Sequence, residues 1–198
     1  MSPIVGKFEA KHRMYMRVKK SLVLLLTFSI MVAVFTGCSK SNSPLTGEWA
    51  YLHDKETAAF TVTSKGKAVL DGTEYDCKYD DSFITLSASD SNTKKLRYIL
   101  TDEGLILYKS TDYTYSGEGT PTDVVGHWED TKDSWSYDFT SDGAFVEDGF
   151  FSGKYTVNTS EGTIVLDYNE DFDDTTIYYT LSGNTITIEY PWKMVKLH

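Results

Sequence analysis

The chain has 198 residues, with 19 Lys+Arg against 29 Asp+Glu, two Cys, four His and 14% aromatic residues. A formal charge of −10 argues against a nucleic-acid partner, whose phosphates require a basic face. Two Cys leave no room for a disulfide scaffold, and scattered His without a Cys/His cluster argue against a zinc or iron centre.

The first elements in chain order form a leader. Lys7, Lys11, Arg13, Arg17, Lys19 and Lys20 are opposed only by Glu9, and the uncharged run Ser21 to Thr36 follows. Sixteen helical residues would extend about 24 Å, short of the roughly 30 Å hydrocarbon core, so the run suits an export signal better than a permanent membrane helix. Phe35-Thr36-Gly37-Cys38 resembles the lipobox of bacterial lipoproteins, with Phe35 in place of the usual Leu. The resemblance implies that residues 1–37 are a signal peptide and that Cys38 receives diacylglycerol and anchors the chain. Two acyl chains suffice for stable attachment at about 0.8 kcal/mol per buried methylene.

Removal of residues 1–37 takes away six basic residues and one acidic one. It leaves 161 residues with 13 Lys+Arg against 28 Asp+Glu, a net −15. Residues 38–44 are then the lipidated Cys and a polar tether. Cys77 has no partner for an internal disulfide, and its alternating setting marks it as a small buried apolar residue.

Beyond the tether the sequence repeats itself. Leu45-Thr46-Gly47-Glu48-Trp49 recurs as Val124-Val125-Gly126-His127-Trp128 at an offset of 79, and Phe60 to Gly66 recurs as Tyr137 to Gly143 at 77. Tyr75, Cys77, Ile84 and Leu86 match Tyr155, Val157, Ile164 and Leu166 at 80, and Leu96 to Leu107 matches Ile177 to Ile188 at 81. Four landmarks in one order identify a duplication. It divides the chain into unit 1 at 45–109, a Gly/Ser/Thr/Pro-containing linker at 110–123, and unit 2 at 124–198. Within each unit the apolar period is two, as in Ile177-x-Tyr179-x-Leu181, and Ser182-Gly183-Asn184 and similar segments are hairpin turns. The expected class is all-β: antiparallel units of six or seven short strands, each closed as a small barrel or packed as a sandwich.

The Gly-x-Trp start, the aromatic hairpin, Gly153-Lys154-Tyr155 and the Ile-x-Leu strand together resemble the small lipocalin-like domains of exported bacterial lipoproteins. That resemblance implies that Trp49 and Trp128 close barrel ends and are structural. Each unit is about half a full lipocalin, and so few strands enclose side chains rather than a deep cavity.

No catalytic constellation is present. Glu129-Asp130 and Glu147-Asp148 are adjacent carboxylates without the cleft-spanning separation that glycoside hydrolysis needs. The acidic segment Asp167 to Asp174 has alternating oxygen ligands but lacks the Gly and Glu of a calcium loop, so no metal and no cofactor is assigned. The informative residues are aromatics without a repeat counterpart: Trp135, Phe150, Phe151 and Trp192, with Tyr113 and Tyr115. The first four are the candidate ligand or interaction face, or else an interface between the units. The expected function is that of a non-enzymatic, extracytoplasmic binding protein, held on the bacterial cell membrane by its diacylglyceryl Cys. Its partner would be an unidentified small molecule, glycan or protein. The alternative is a lipocalin-like carrier of a small apolar ligand with both units forming one barrel, and an acid-dependent hydrolase ranks last.

Overall fold

A computed structural model describes residues 43–88, 93–130, 132–169 and 171–197. The expected signal peptide, Cys38 and most of the tether lie outside the described residues. Within them the protein is all-β, one antiparallel sheet of fourteen strands. The first seven are β1 (Gly47–Tyr51), β2 (Phe60–Val62), β3 (Lys67–Leu70), β4 (Thr73–Tyr79), β5 (Phe83–Ser87), β6 (Thr93–Thr101) and β7 (Gly104–Tyr115). The second seven are β8 (Gly126–Glu129), β9 (Ser136–Phe139), β10 (Ala144–Glu147), β11 (Phe151–Asn158), β12 (Thr163–Tyr168), β13 (Thr175–Ser182) and β14 (Thr185–Lys196).

Each strand pairs with its sequence neighbours, and β14 closes the sheet on β1. A further seam runs between the two longest strands, from Thr185 opposite Thr114 to Met194 opposite Leu105. This seam splits the closure into two rings that share β7 and β14. The C-terminal end of β14 lies on β1, with Trp49 opposite Lys196. The C-terminal end of β7 lies on β8 in the same way, with Tyr115 opposite Trp128. The stretch expected as a linker is therefore strand as far as Tyr115; only the residues after it connect β7 to β8. Ser110, Asp112 and Thr114 are the exposed polar alternates of a strand whose other face carries Thr111, Tyr113 and Tyr115.

Alternation along the seam distributes one face of it among three places. Leu105, Leu107 and Met194 enter a first core with Trp49, Phe60 and Leu86, while Tyr113, Ile186 and Ile188 enter a second core with Trp128, Phe139 and Leu166. Between the cores the same face presents Lys109, Thr111, Tyr190 and Trp192 to a cleft.

The Gly-x-Trp repeat has a local cause. The buried indole of Trp49 donates to the Leu45 carbonyl at 2.9 Å, and that of Trp128 donates to Val124 at 2.7 Å. The side chain arriving from the shared strand covers each indole: the Lys196 ammonium lies 5.4 Å from the Trp49 ring, and the Tyr115 ring lies 5.2 Å from Trp128. A Cβ at Gly47 would stand 2.6 Å from Lys196 Cε, and one at Gly126 would stand 2.3 Å from Tyr115 Cε2. Both glycines also have φ near +138°, a conformation that other residues rarely adopt.

The structure corrects the repeat register at β4 and β11. The Cys77 amide donates to the Gly66 carbonyl, and the Tyr155 amide donates to Gly143, both at 2.8 Å. Cys77 therefore corresponds to Tyr155, and Tyr75 to Gly153, two residues away from the alignment read in the sequence. Two physical facts account for the slip. Asp71-Gly72 is a two-residue hairpin turn with φ of 49° and 80°, as a type I′ turn requires, whereas Asp148-Gly149-Phe150 is one residue longer. The second fact is an exchange of bulk across a strand pair: Ala68 faces Tyr75, while Phe145 faces Gly153. A Cβ at Gly153 would lie 1.9 Å from the Asp167 carbonyl oxygen, so the space that Tyr75 fills in one core is closed in the other.

Candidate functional site

The cleft has a volume of about 440 Å³ and opens over the middle of the seam, where the two rings meet. The repeat relates its two sides. Tyr51 ends β1 as Asp130 follows β8, and Lys109 and Tyr190 occupy matching places on β7 and β14. The walls are nevertheless unlike.

The first-half wall is aromatic and carries one cation. His53 stacks on Tyr51 at 5.5 Å with the planes 8° apart, and Tyr51 meets Trp192 at 5.2 Å. The Lys109 ammonium donates to the Tyr51 hydroxyl and, at 2.7 Å, to Asp71. Burial works against the Lys109 charge, but the hydrogen bonds to Asp71 and Tyr51 outweigh it and hold its pKa above the ordinary value. Burial first, and then Asp71, push the Tyr51 phenol up against the opposing pull of Lys109, so the pair is ammonium and neutral phenol at neutral pH.

The second-half wall carries Asp130, Asp133 and Trp135 from the β8–β9 connection, with Tyr137 of β9 and Tyr113 of β7. Asp130 is buried and accepts the Lys132 amide at 2.9 Å, which fixes the connection. Behind this wall sits a polar group inside a core: Glu147, only 1% exposed, accepts from the Tyr137 hydroxyl at 2.9 Å and from Tyr168 at 2.7 Å. Burial, followed by the charges of Glu147, Asp148, Asp130 and Asp133, pushes the Tyr113 phenol far up. Tyr137 is raised by burial and then by Glu147. Such phenols are neutral donors with no capacity to act as bases at neutral pH.

Of the four aromatics singled out in the sequence, the structure brings two together: Trp135 and Trp192 stand in the same cleft. Phe151 is buried in the second core against Tyr168 and Phe172. Phe150 is the added turn residue before β11, 67% exposed, and does not line the cleft. Cys38 lies outside the described residues. Lys109, Tyr51, Asp130 and Asp133 were not legible as a group in the sequence. Their signal is a charge that the repeat does not conserve: Asp130 opposite Tyr51, and Lys109 opposite Tyr190.

The other residues weighed earlier find places away from the cleft, apart from Asp130 and Tyr113. Cys77 is buried, and burial raises its thiol above the ordinary pKa, which disfavours the thiolate. The pair Glu147-Asp148 is divided by its strand end, since Asp148 turns outward to accept the Ser136 amide at 2.7 Å. Glu129 is likewise exposed while its neighbour Asp130 is buried. In the acidic segment, Phe172 packs into the second core and Asp173 lies 3.7 Å from Lys193. Among the described residues no group of three or more His, Cys, Asp or Glu is arranged to hold a metal ion.

No protein-family model matches the chain, and no curated protein and no solved structure is significantly similar to it.

Proposed function

We propose that this is a lipid-anchored extracytoplasmic binding protein, in which two lipocalin-like units are joined through β7 and β14 and a ligand sits in the cleft at their seam. The observation that carries the reading is the cleft itself. Each ring is filled by its own apolar and aromatic residues, as small barrels are, so open volume is found where the rings meet. Its 440 Å³ falls within the range of small-molecule sites, and Trp135 and Trp192 line it with two large aromatic side chains. The acyl anchor at Cys38 and the polar tether would hold this cleft clear of the bilayer.

The carrier reading draws support from the continuous sheet, which makes one body of both halves. Lys109, Asp130 and Asp133 in the walls favour a polar or charged ligand over a purely apolar one.

The test has two arms. With Cys38→Ser the full chain should leave the membrane fraction when cells are broken. In amide-proton NMR of the mature protein, sugars, amines and short peptides should be titrated in turn while the indole signals are followed. At least one class should move the Trp135 and Trp192 signals together; if none does, the cleft is not a binding site.

A further inference from the structure

The chemistry of the cleft narrows the ligand class. Tyr113, Tyr137 and Trp135 line its second-half wall, and Trp192 lines the first-half wall. Aromatic faces carry the negative end of the ring quadrupole and attract cations, more strongly where water is excluded. The charged groups beside them are the carboxylates of Asp130 and Asp133, with Glu147 in the core behind Tyr137. Among the described lining residues the one ammonium, Lys109, is on the opposite wall, where Asp71 holds it 5.1 Å from the Tyr51 ring centre and 5.6 Å from that of Trp192.

The first core shows what the second would be without this arrangement. Phe60 pairs with Leu70 where Tyr137 pairs with Glu147, and Met194, two residues before Lys196 on β14, enters the first core where Tyr113, two residues before Tyr115 on β7, enters the second. Polar groups thus replace apolar ones at corresponding places, all on the side of one wall.

The same molecule already binds a cation this way. On the opposite face of the seam the Arg97 guanidinium lies 3.8 Å from the Tyr178 ring centre and 4.9 Å from that of Phe83, while its Nε donates to Glu189 at 2.8 Å. Aromatic faces plus one carboxylate are filled there by the protein's own side chain.

We infer that the cleft binds an organic cation, an amine or quaternary ammonium on a small body, with its charge at the β8–β9 connection beside Trp135, Asp130 and Asp133. This inference rests on the cleft being the ligand site and adds the sign and chemistry of what enters it.

The test compares choline with 3,3-dimethylbutan-1-ol, which has the same shape without the charge, by calorimetric titration and NMR of the mature protein. Choline should bind at least about tenfold more tightly, the advantage of a partly desolvated cation–π contact. Trp135→Ala should weaken choline about tenfold and Trp135→Phe much less, since Phe keeps a ring face. Asp133 is exposed, so Asp133→Asn keeps the fold and should lower choline affinity several-fold without changing that of the alcohol. Equal affinity for the two compounds, or choline binding indifferent to both Trp135→Ala and Asp133→Asn, overturns the inference. If sugars move the indole signals and choline does not, the organic-cation assignment fails while the binding function stands.

Discussion

The two halves of the sheet follow one pairing scheme and fill it with different chemistry. In the first core Phe60, Leu70 and Met194 are apolar and buried; at the corresponding places the second core has Tyr137, Glu147 and Tyr113. A buried carboxylate is costly unless its oxygens accept hydrogen bonds, and here two phenols supply them. The first half therefore shows what closing such a ring requires, and the second shows what has been added beyond closure. The additions gather beside the cleft, which locates specialisation in one half of a structure whose backbone is nearly the same twice.

The largest way to break this comparison is at Gly153. Gly153→Ala places a methyl 1.9 Å from a backbone oxygen and should cost about 3 kcal/mol or more, or prevent folding, read by urea denaturation. A variant as stable as the parent would mean that the Phe145–Gly153 pairing is wrong.

Next comes Glu147→Leu, which copies Leu70 into the second core. It strands two buried phenol hydroxyls and should destabilise by about 2 kcal/mol. Adding Tyr137→Phe and Tyr168→Phe should recover most of that loss. If the triple variant is no better than the single one, the network is not the coupled unit described above.

Alkali sharpens the contrast further. Tyr113 and Tyr137 have folded-state pKa values above the ordinary 10.0, so above pH 10 the unfolded chain releases protons that the folded one retains. Their stabilisation is complete below pH 10 and declines as pH rises beyond it, by up to about 1.4 kcal/mol per pH unit for each phenol. Denaturation midpoints from pH 9 to 11.5 should show that slope, and Tyr113→Phe should flatten it more than Phe replacement of Tyr98, whose phenol is less deeply placed in the first half.

The smallest effect is expected at the surface. His127 Nδ1 lies 2.6 Å from Asp138, with both side chains more than 40% exposed, where the first half pairs Glu48 with Thr61 and no ion pair is needed. His127→Ala should change stability by no more than about 0.5 kcal/mol at neutral pH, measured by thermal melting. A larger loss would make this cross-strand pair a real difference between the halves.

Much of the fold was legible because strand periodicity and a duplication are both local patterns. The offsets of 79 at Trp49 and 81 at Leu96 agree with the observed pairings. The offset of 80 at Tyr75 does not, for an instructive reason. A slip of two residues leaves every side chain on its original face, so alternation is blind to it, and Tyr-to-Tyr identity favoured the wrong choice. What fixes the register is volume shared across strands, Ala68 with Tyr75 against Phe145 with Gly153, and no single strand reveals that. The ends of β7 were hidden similarly, because the partner of Tyr113 is Ile186, far along the chain. Trp135 and Trp192 could be singled out as unmatched aromatics, but Phe150 and Phe151 looked the same by that criterion. One is an added turn residue and the other a core residue, a distinction made only by tertiary packing.

The seam also bears on how the chain comes apart. Neither β7 nor β14 can be assigned to one ring, so melting either half would strip a partner from the other at Trp49 or Trp128. The halves should therefore unfold in a single cooperative transition, and a polypeptide containing only one of them would present half a long strand with nothing alongside it. Two copies of such a polypeptide could satisfy each other by trading those strands about a two-fold axis. The present chain then has the form of an exchanged dimer made permanent by the connection between Tyr115 and Gly126, and the cleft lies on what would have been its axis of symmetry.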